Sequence, residues 1–224
     1  MRANRGNMYA NRRLILALIT FAIAIRPIVA AQGLPSQAAL VIGSPDLALT
    51  GSYELSTRVE VLDKILGEPI QLMRLWKAYR FSPHYEARPI GPAAFHVDDP
   101  TGIAGEVFPA GLSAGRRVFV ANGAIAHRLV PHFKGSAVLF VTATPEGSTV
   151  GVRVDVYLRM ENRFVGFLMK PFVPYLRTLV LRRLGSNMAD IGTILGDLSE
   201  RPKEAAARLS PDDSAALLEL LAAR

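Results

Sequence analysis

The residues from Thr149 to Met160 constrain the fold most. Val150, Val152, Val154, Val156, Leu158 and Met160 alternate with Arg153, Asp155, Tyr157 and Arg159. Period two over this length means a strand with one buried and one wet face, in a sheet covered on one side only. A second apolar run, Ser136–Thr144, joins it through Pro145-Glu146-Gly147-Ser148, a hairpin turn in which glycine takes positive φ without steric cost. After the capping pair Glu161-Asn162 the spacing becomes helical up to about Leu198, and Pro171 and Pro174 break or kink its first third.

That helix carries two stripes. Leu184, Met188, Ile191, Leu195 and Leu198 form a bulky one, and Gly185, Ala189, Gly192 and Gly196 run beside it. Each interior glycine costs about 1 kcal/mol relative to alanine, so the small stripe needs a reason. Two are open: close backbone approach to the sheet, or space left for a ligand.

Upstream, Ser52–Val61 alternates strictly and predicts a strand. Leu62–Tyr79 predicts two short helices separated by Gly67-Glu68-Pro69. Further strands are expected at Tyr85–Pro89, Ile103–Phe108, Arg117–Ala121 and Ile125–Val130. Residues 199–224 read as a polar, alanine-rich connector and a short final helix capped by Ser210, with Pro211 at its first position.

The N-terminus reads as an address. Arg12-Arg13, the apolar run Leu14–Ile25 and the small residues Val29-Ala30-Ala31 follow the order of a secretory signal peptide over residues 1–31, cleaved near Ala31. The expected location is therefore outside the cytoplasm, in the periplasm, by a general or twin-arginine route. The alternative is anchorage by an uncleaved N-terminal segment, although the run would span only about 18 Å as a helix. Residues 32–50 read as a linker. Five of the 26 basic residues lie in the leader, which holds no acid, so the remainder sets 21 basic against 19 acidic groups. The net charge of +7 is thus mostly a leader effect, and nucleic acid is not an expected partner. The chain has no cysteine, which excludes a disulfide scaffold, a cysteine nucleophile and thiolate metal sites.

Chemical motifs are sparse. Gly111-Leu112-Ser113-Ala114-Gly115 matches a nucleophile elbow in letters, but a strand is expected after it where a helix is required. His127 and His132 flank Pro131 and do not share a helix face; with His84 and His96 they offer no metal-ligand spacing, and no metal or cofactor is expected. His96 with Asp98 is the one pair suited to acid–base chemistry, and Asp98-Asp99-Pro100-Thr101-Gly102 also reads as a plain turn.

The order of strand, two short helices, further strands and a long C-terminal helix, with "YELSTRVEVLDKILG" near its start and "GSAVLFVTATPEGSTVGVRVDVYLRMENRF" leading into the helix, resembles the START-like helix-grip superfamily (SRPBCC), which includes polyketide cyclase/dehydrase-like proteins. The resemblance covers roughly residues 51–198. It implies an α+β fold in which a curved antiparallel sheet of about seven strands wraps a long C-terminal helix around an apolar cavity. The partner would be a hydrophobic small molecule or lipid. On that basis Phe95, Phe108, Phe119 and Phe140 are candidate walls, Gly185, Met188 and Gly192 candidate helix contacts, and Trp76 and Tyr79 further ligand-binding candidates. A cyclase or dehydratase using His96 or Asp98 in the same cavity, and a non-catalytic interaction module, are the alternatives.

One surface feature stands apart from the resemblance. Lys170, Arg177, Arg182 and Arg183 are interleaved with Phe164, Phe167, Phe172, Tyr175 and Leu179, a mixture suited to resting on anionic lipid headgroups. The competing expectation is a solvated helix face whose aromatics lie in the core.

Overall fold

The period-two stretches become one sheet, seen in a computed structural model that describes residues 36–82, 85–91, 94–100, 102–113, 116–126 and 132–223. All of these fall in a single unit, Gly33–Arg224. The leader reading of residues 1–31, and those of His84 and His127, lie outside the described residues.

The chain runs α1 (Ser36–Gly43), β1 (Leu47–Leu55), α2 (Val59–Gly67), α3 (Pro69–Ala78), then β2 (Glu86–Pro89), β3 (Phe95–Asp99), β4 (Ile103–Ser113), β5 (Arg116–Ile125), β6 (Phe133–Glu146) and β7 (Thr149–Met160). There follow α4 (Arg163–Met169), a 3-10 turn (Lys170–Phe172), α5 (Val173–Glu200), α6 (Pro202–Ala206) and α7 (Pro211–Ala222). The strands pair antiparallel in the order β1-β7-β6-β5-β4-β3-β2. The first strand therefore closes on the last, and α5 packs on the inner face through Ile191, Ile194, Leu195 and Leu198, all buried. This is a helix-grip arrangement.

Three expectations shift, each for a reason of pairing. The strand expected at Ser52–Val61 is β1, Leu47–Leu55, because Leu47 pairs with Leu158 and Leu55 with Val150, beside Thr149 where β7 begins. Residues beyond Leu55 have no strand to pair with, and Val61 instead joins Leu62 and Ile65 on the buried face of α2. The stretch 32–50 is accordingly not a bare linker: it holds α1 and the first residues of β1. Strand β3, not anticipated, uses Asp98 and Asp99 as ladder residues, paired with Ala104 and Ile103, and the turn itself is closed by Gly102 N–H donating to Asp99 C=O at 2.9 Å with Gly102 at φ 98°. Ile125 ends β5, and 127–130 lie outside the described residues.

The outer face is less wet than period two implies. Val118, Val120, Val138 and Phe140 are buried there, with Tyr157 edge-on to Phe140 at 6.0 Å and the Arg116 guanidinium 4.5 Å from the Phe140 ring centroid. Helix α1 lies on this face, where Gln37 donates to Asn122 and Arg159 donates to the Leu40 carbonyl.

The glycine stripe of α5 is resolved in favour of close approach. An added Cβ at Gly192 would stand 3.2 Å from Leu55 Cδ2, and one at Gly196 3.4 Å from the Ser56 carbonyl oxygen. The stripe seats the helix on β1 and its exit. At Gly185 a Cβ would meet only Tyr53 Cε1, at 3.9 Å. Gly185→Ala should therefore raise stability by about 0.5–1 kcal/mol through helix propensity alone, read from urea denaturation; a loss would mean that the position requires its glycine.

The C-terminal segment is docked. Leu217 is fully buried, Arg74 pairs with Asp213 at 2.6 Å, and Lys64 Nζ donates to the Leu221 carbonyl at 2.7 Å and to that of Ala223. Ser210 accepts from Asp213 N–H as the cap of α7. Asn162 likewise caps α4 by accepting from Phe164 N–H.

Candidate functional site

The registers of β4, β5 and β6 align their smallest residues. Gly105 pairs with Gly123, Gly123 with Gly135, and Ala121 with Ala137. Three glycines thus lie in a row across three strands and offer no side chain to the inner face. A Cβ on Gly105 would come within 2.7 Å of the Asn122 carbonyl oxygen, and one on Gly135 within 2.7 Å of the Arg159 carbonyl oxygen. On Gly123 it would collide with the Ala104 carbonyl oxygen. The row is a crease of close backbone approach that only glycine permits.

Between this crease and α5 lies a cavity of about 370 Å³, within the ~300–1,000 Å³ of typical small-molecule sites. Its walls are aliphatic and aromatic: Ile103, Val107, Ile125, Phe133, Leu139 and Leu158. The deciding feature is that hollow, held between a wrapped sheet and one long helix.

The fold is a helix grip. No family model matches the sequence, and no curated protein matches it. Among solved structures, CalU16 from Micromonospora echinospora aligns at 11% identity over 79% of this chain and 89% of its own, with a TM-score of 0.40. A protein from Nitrosospira multiformis aligns at 13% over 69% of this chain and 100% of its own, with a TM-score of 0.43. Truncated norcoclaurine synthase from Thalictrum flavum aligns at 9% over 64% and 92%, with a TM-score of 0.40. These likenesses are too distant to carry an argument, and the helix-grip fold stands on strand order and helix position.

One edge of the cavity is polar. Arg183 and Asn187, four apart and hence on one face of α5, meet Tyr85 and Asp99 from the β2–β3 side. Arg183 Nη2 donates to Asp99 Oδ2 at 2.9 Å, with the Asp99 side chain 4% exposed and that of Arg183 20% exposed. The guanidinium lies 4.9 Å from the Tyr85 ring centroid. Tyr85 Oη donates to Asn187 Oδ1 at 2.8 Å. Burial chiefly pushes the Tyr85 phenol up to about 12, so it remains a neutral donor at neutral pH. Burial also raises Asp190, against the opposing pull of Arg183.

The residues singled out from sequence fall elsewhere. Trp76 is core, edge-on to Phe81 and Tyr85. Tyr79 stacks on Phe81 and donates to Asp197 Oδ2 at 2.8 Å, away from the hollow. Phe108 and Phe140 occupy outer-face register positions, opposite Val120 and Val118; Phe95 and Phe119 share the inner face without lining the cavity. Gly185 and Gly192 face Tyr53 and Leu55, and Met188 packs into the core. His96 and Asp98 point to the outer side, 3.2 Å from each other, so neither reaches the cavity and the acid–base pair loses its setting. The alternation of β3 puts Val97 and Asp99 inward instead.

Arg183, grouped with the docking cations, turns inward to Asp99. Lys170, Arg177 and Arg182 are exposed. Beside them Phe164, Phe167 and Leu168 are 67%, 63% and 50% exposed, with Phe172 and Tyr175 also at the surface. Lys170 Nζ stands 5.3 Å from the Phe167 ring centroid. The expectation that these aromatics sit in the core is not met; Met169 and Leu176 anchor the segment in their place.

A larger groove of about 750 Å³ opens between α3 and β2, lined in part by Arg74, Lys77, Arg80, Arg88, Glu86 and Asp98. Its charged rim does not suit an apolar guest.

The signal in the sequence for this cavity was a set of small residues: Ala104-Gly105, Ala121–Ala124 and Gly135–Ala137. Attention to large apolar residues passes over it, because a cavity is made where side chains are missing.

Proposed function

We propose that this protein is an exported binder of an apolar small molecule, a lipid or polycyclic compound, which it exchanges at a membrane surface. The observation that carries the reading is the hollow between the glycine crease and α5, whose walls are apolar and whose polar groups gather at one edge. Burying a guest there recovers roughly 25 cal/mol per Å² of apolar surface removed from water.

The exposed aromatics of α4 and the 3-10 turn support membrane contact. Contiguous apolar surface is uncommon on soluble proteins, and aromatics flanked by Lys170, Arg177 and Arg182 match an anionic interface. The charged, apolar, small-residue order of residues 1–31 supports export. A cyclase or dehydratase is less favoured, since His96 and Asp98 lie outside the cavity.

Lipid extraction and mass spectrometry of the purified full chain should return one apolar compound near one equivalent, and an empty protein that also takes up no added lipid rejects the reading. In the same preparation, flotation with anionic vesicles should weaken several-fold when Phe164 and Phe167 become serine. Unchanged flotation rejects the membrane role.

A further inference from the structure

Resting on that cavity reading, we propose that the guest is an uncharged amphiphile bearing a hydroxyl or carbonyl oxygen, seated at the Arg183–Asp99 pair, and that the pair selects against the carboxylate of a fatty acid.

The argument is one of charge balance. Arg183 and Asp99 form a close pair in the cavity wall, and the Asp99 side chain is 4% exposed. The Arg183 charge is already answered there, and it also acts on Asp190. No unbalanced cation therefore faces the hollow among the described residues that line it. An anionic head brought to this edge would lose its water and meet an existing carboxylate, a cost that a neutral head does not bear.

Hydrogen-bonding capacity nevertheless remains. Arg183 carries five N–H donors; Nη2 donates to Asp99, while Nε is buried with no partner among the described residues. Asn187 is oriented by the proton it accepts from Tyr85, which leaves its amide N–H groups to donate. A hydroxyl satisfies both sides, accepting from Arg183 or Asn187 and donating to a carboxylate; a carbonyl satisfies the donors alone. The tail would then lie among Ile103, Val107, Ile125 and Leu139, along the glycine crease.

The test displaces Nile red, a neutral apolar dye, from the full chain with dodecanol and with dodecanoate at pH 8. Dodecanol should displace it at a concentration about ten-fold or more below that required for dodecanoate. Asp99→Asn removes the close negative partner and leaves Arg183 opposed only through Asp190, so the preference for dodecanol should fall several-fold or reverse in favour of dodecanoate. Equal displacement by the two probes, preference for dodecanoate in the wild type, or an unchanged ratio in a folded Asp99→Asn protein overturns the assignment while leaving the cavity reading intact. Failure of the wild type to bind Nile red or either probe overturns the cavity reading itself. The wild-type ratio decides the matter even if Asp99→Asn does not fold.

Discussion

Gly123→Ala should destabilise the domain by about 3 kcal/mol or more, at the far end of the range for single substitutions. One methyl group is added, which elsewhere in a strand would be neutral or mildly favourable. Here it would overlap the Ala104 carbonyl oxygen and stand 3.0 Å from Gly105 Cα. Both obstacles are backbone, so no side chain can swing aside. Relief requires β4 and β5 to separate, which sacrifices ladder hydrogen bonds along Ile103–Pro109. Urea denaturation followed by circular dichroism measures the loss, with Gly185→Ala as a control of opposite sign. A Gly123→Ala protein within about 0.5 kcal/mol of the wild type would mean that the sheet is not creased at this row.

Ala121→Phe should abolish binding of an apolar probe, lowering affinity by about a hundred-fold, while the domain stays folded. Ala121 pairs with Val107 on one side and Ala137 on the other, and it lines the hollow. A benzyl group projecting from it occupies space that a guest would need. Filling apolar emptiness also gains packing contacts, so stability should hold or rise, within about 1 kcal/mol of the wild type. Nile red titration and thermal unfolding on the same sample read both quantities. Undiminished dye binding in the folded variant would remove the cavity from consideration as the binding site.

The expectations that succeeded share a physical character. The strand Thr149–Met160 was legible to the residue and its hairpin turn to within two, because alternation and turn chemistry are local: Gly147, at φ 66°, closes the turn, while Pro145 and Glu146 prolong β6. The Asn162 and Ser210 caps, and the interruption around Pro171, were legible for the same reason. Those that failed needed a partner. Ser56–Val61 continues the alternation of β1 but has nothing to pair with, and so the same letters become a turn and a helix. Phe108 and Phe140 are as apolar as any wall residue, but their register places them on the face turned away from α5.

From its letters alone this chain declared an antiparallel sheet followed by a long helix, since periods of two and of 3.6 are written into neighbouring residues; that α1 and a cluster around Phe140 cover part of the outer face was not declared. Tertiary structure decided where the candidate site lies. Arg183 and Asp99 stand 84 positions apart and meet only because β3 and α5 are brought to one edge of the hollow. Gly105, Gly123 and Gly135 come from three strands and make a crease only when two registers coincide. Pairing across strands depends on the whole sheet at once, and no short window of sequence contains it.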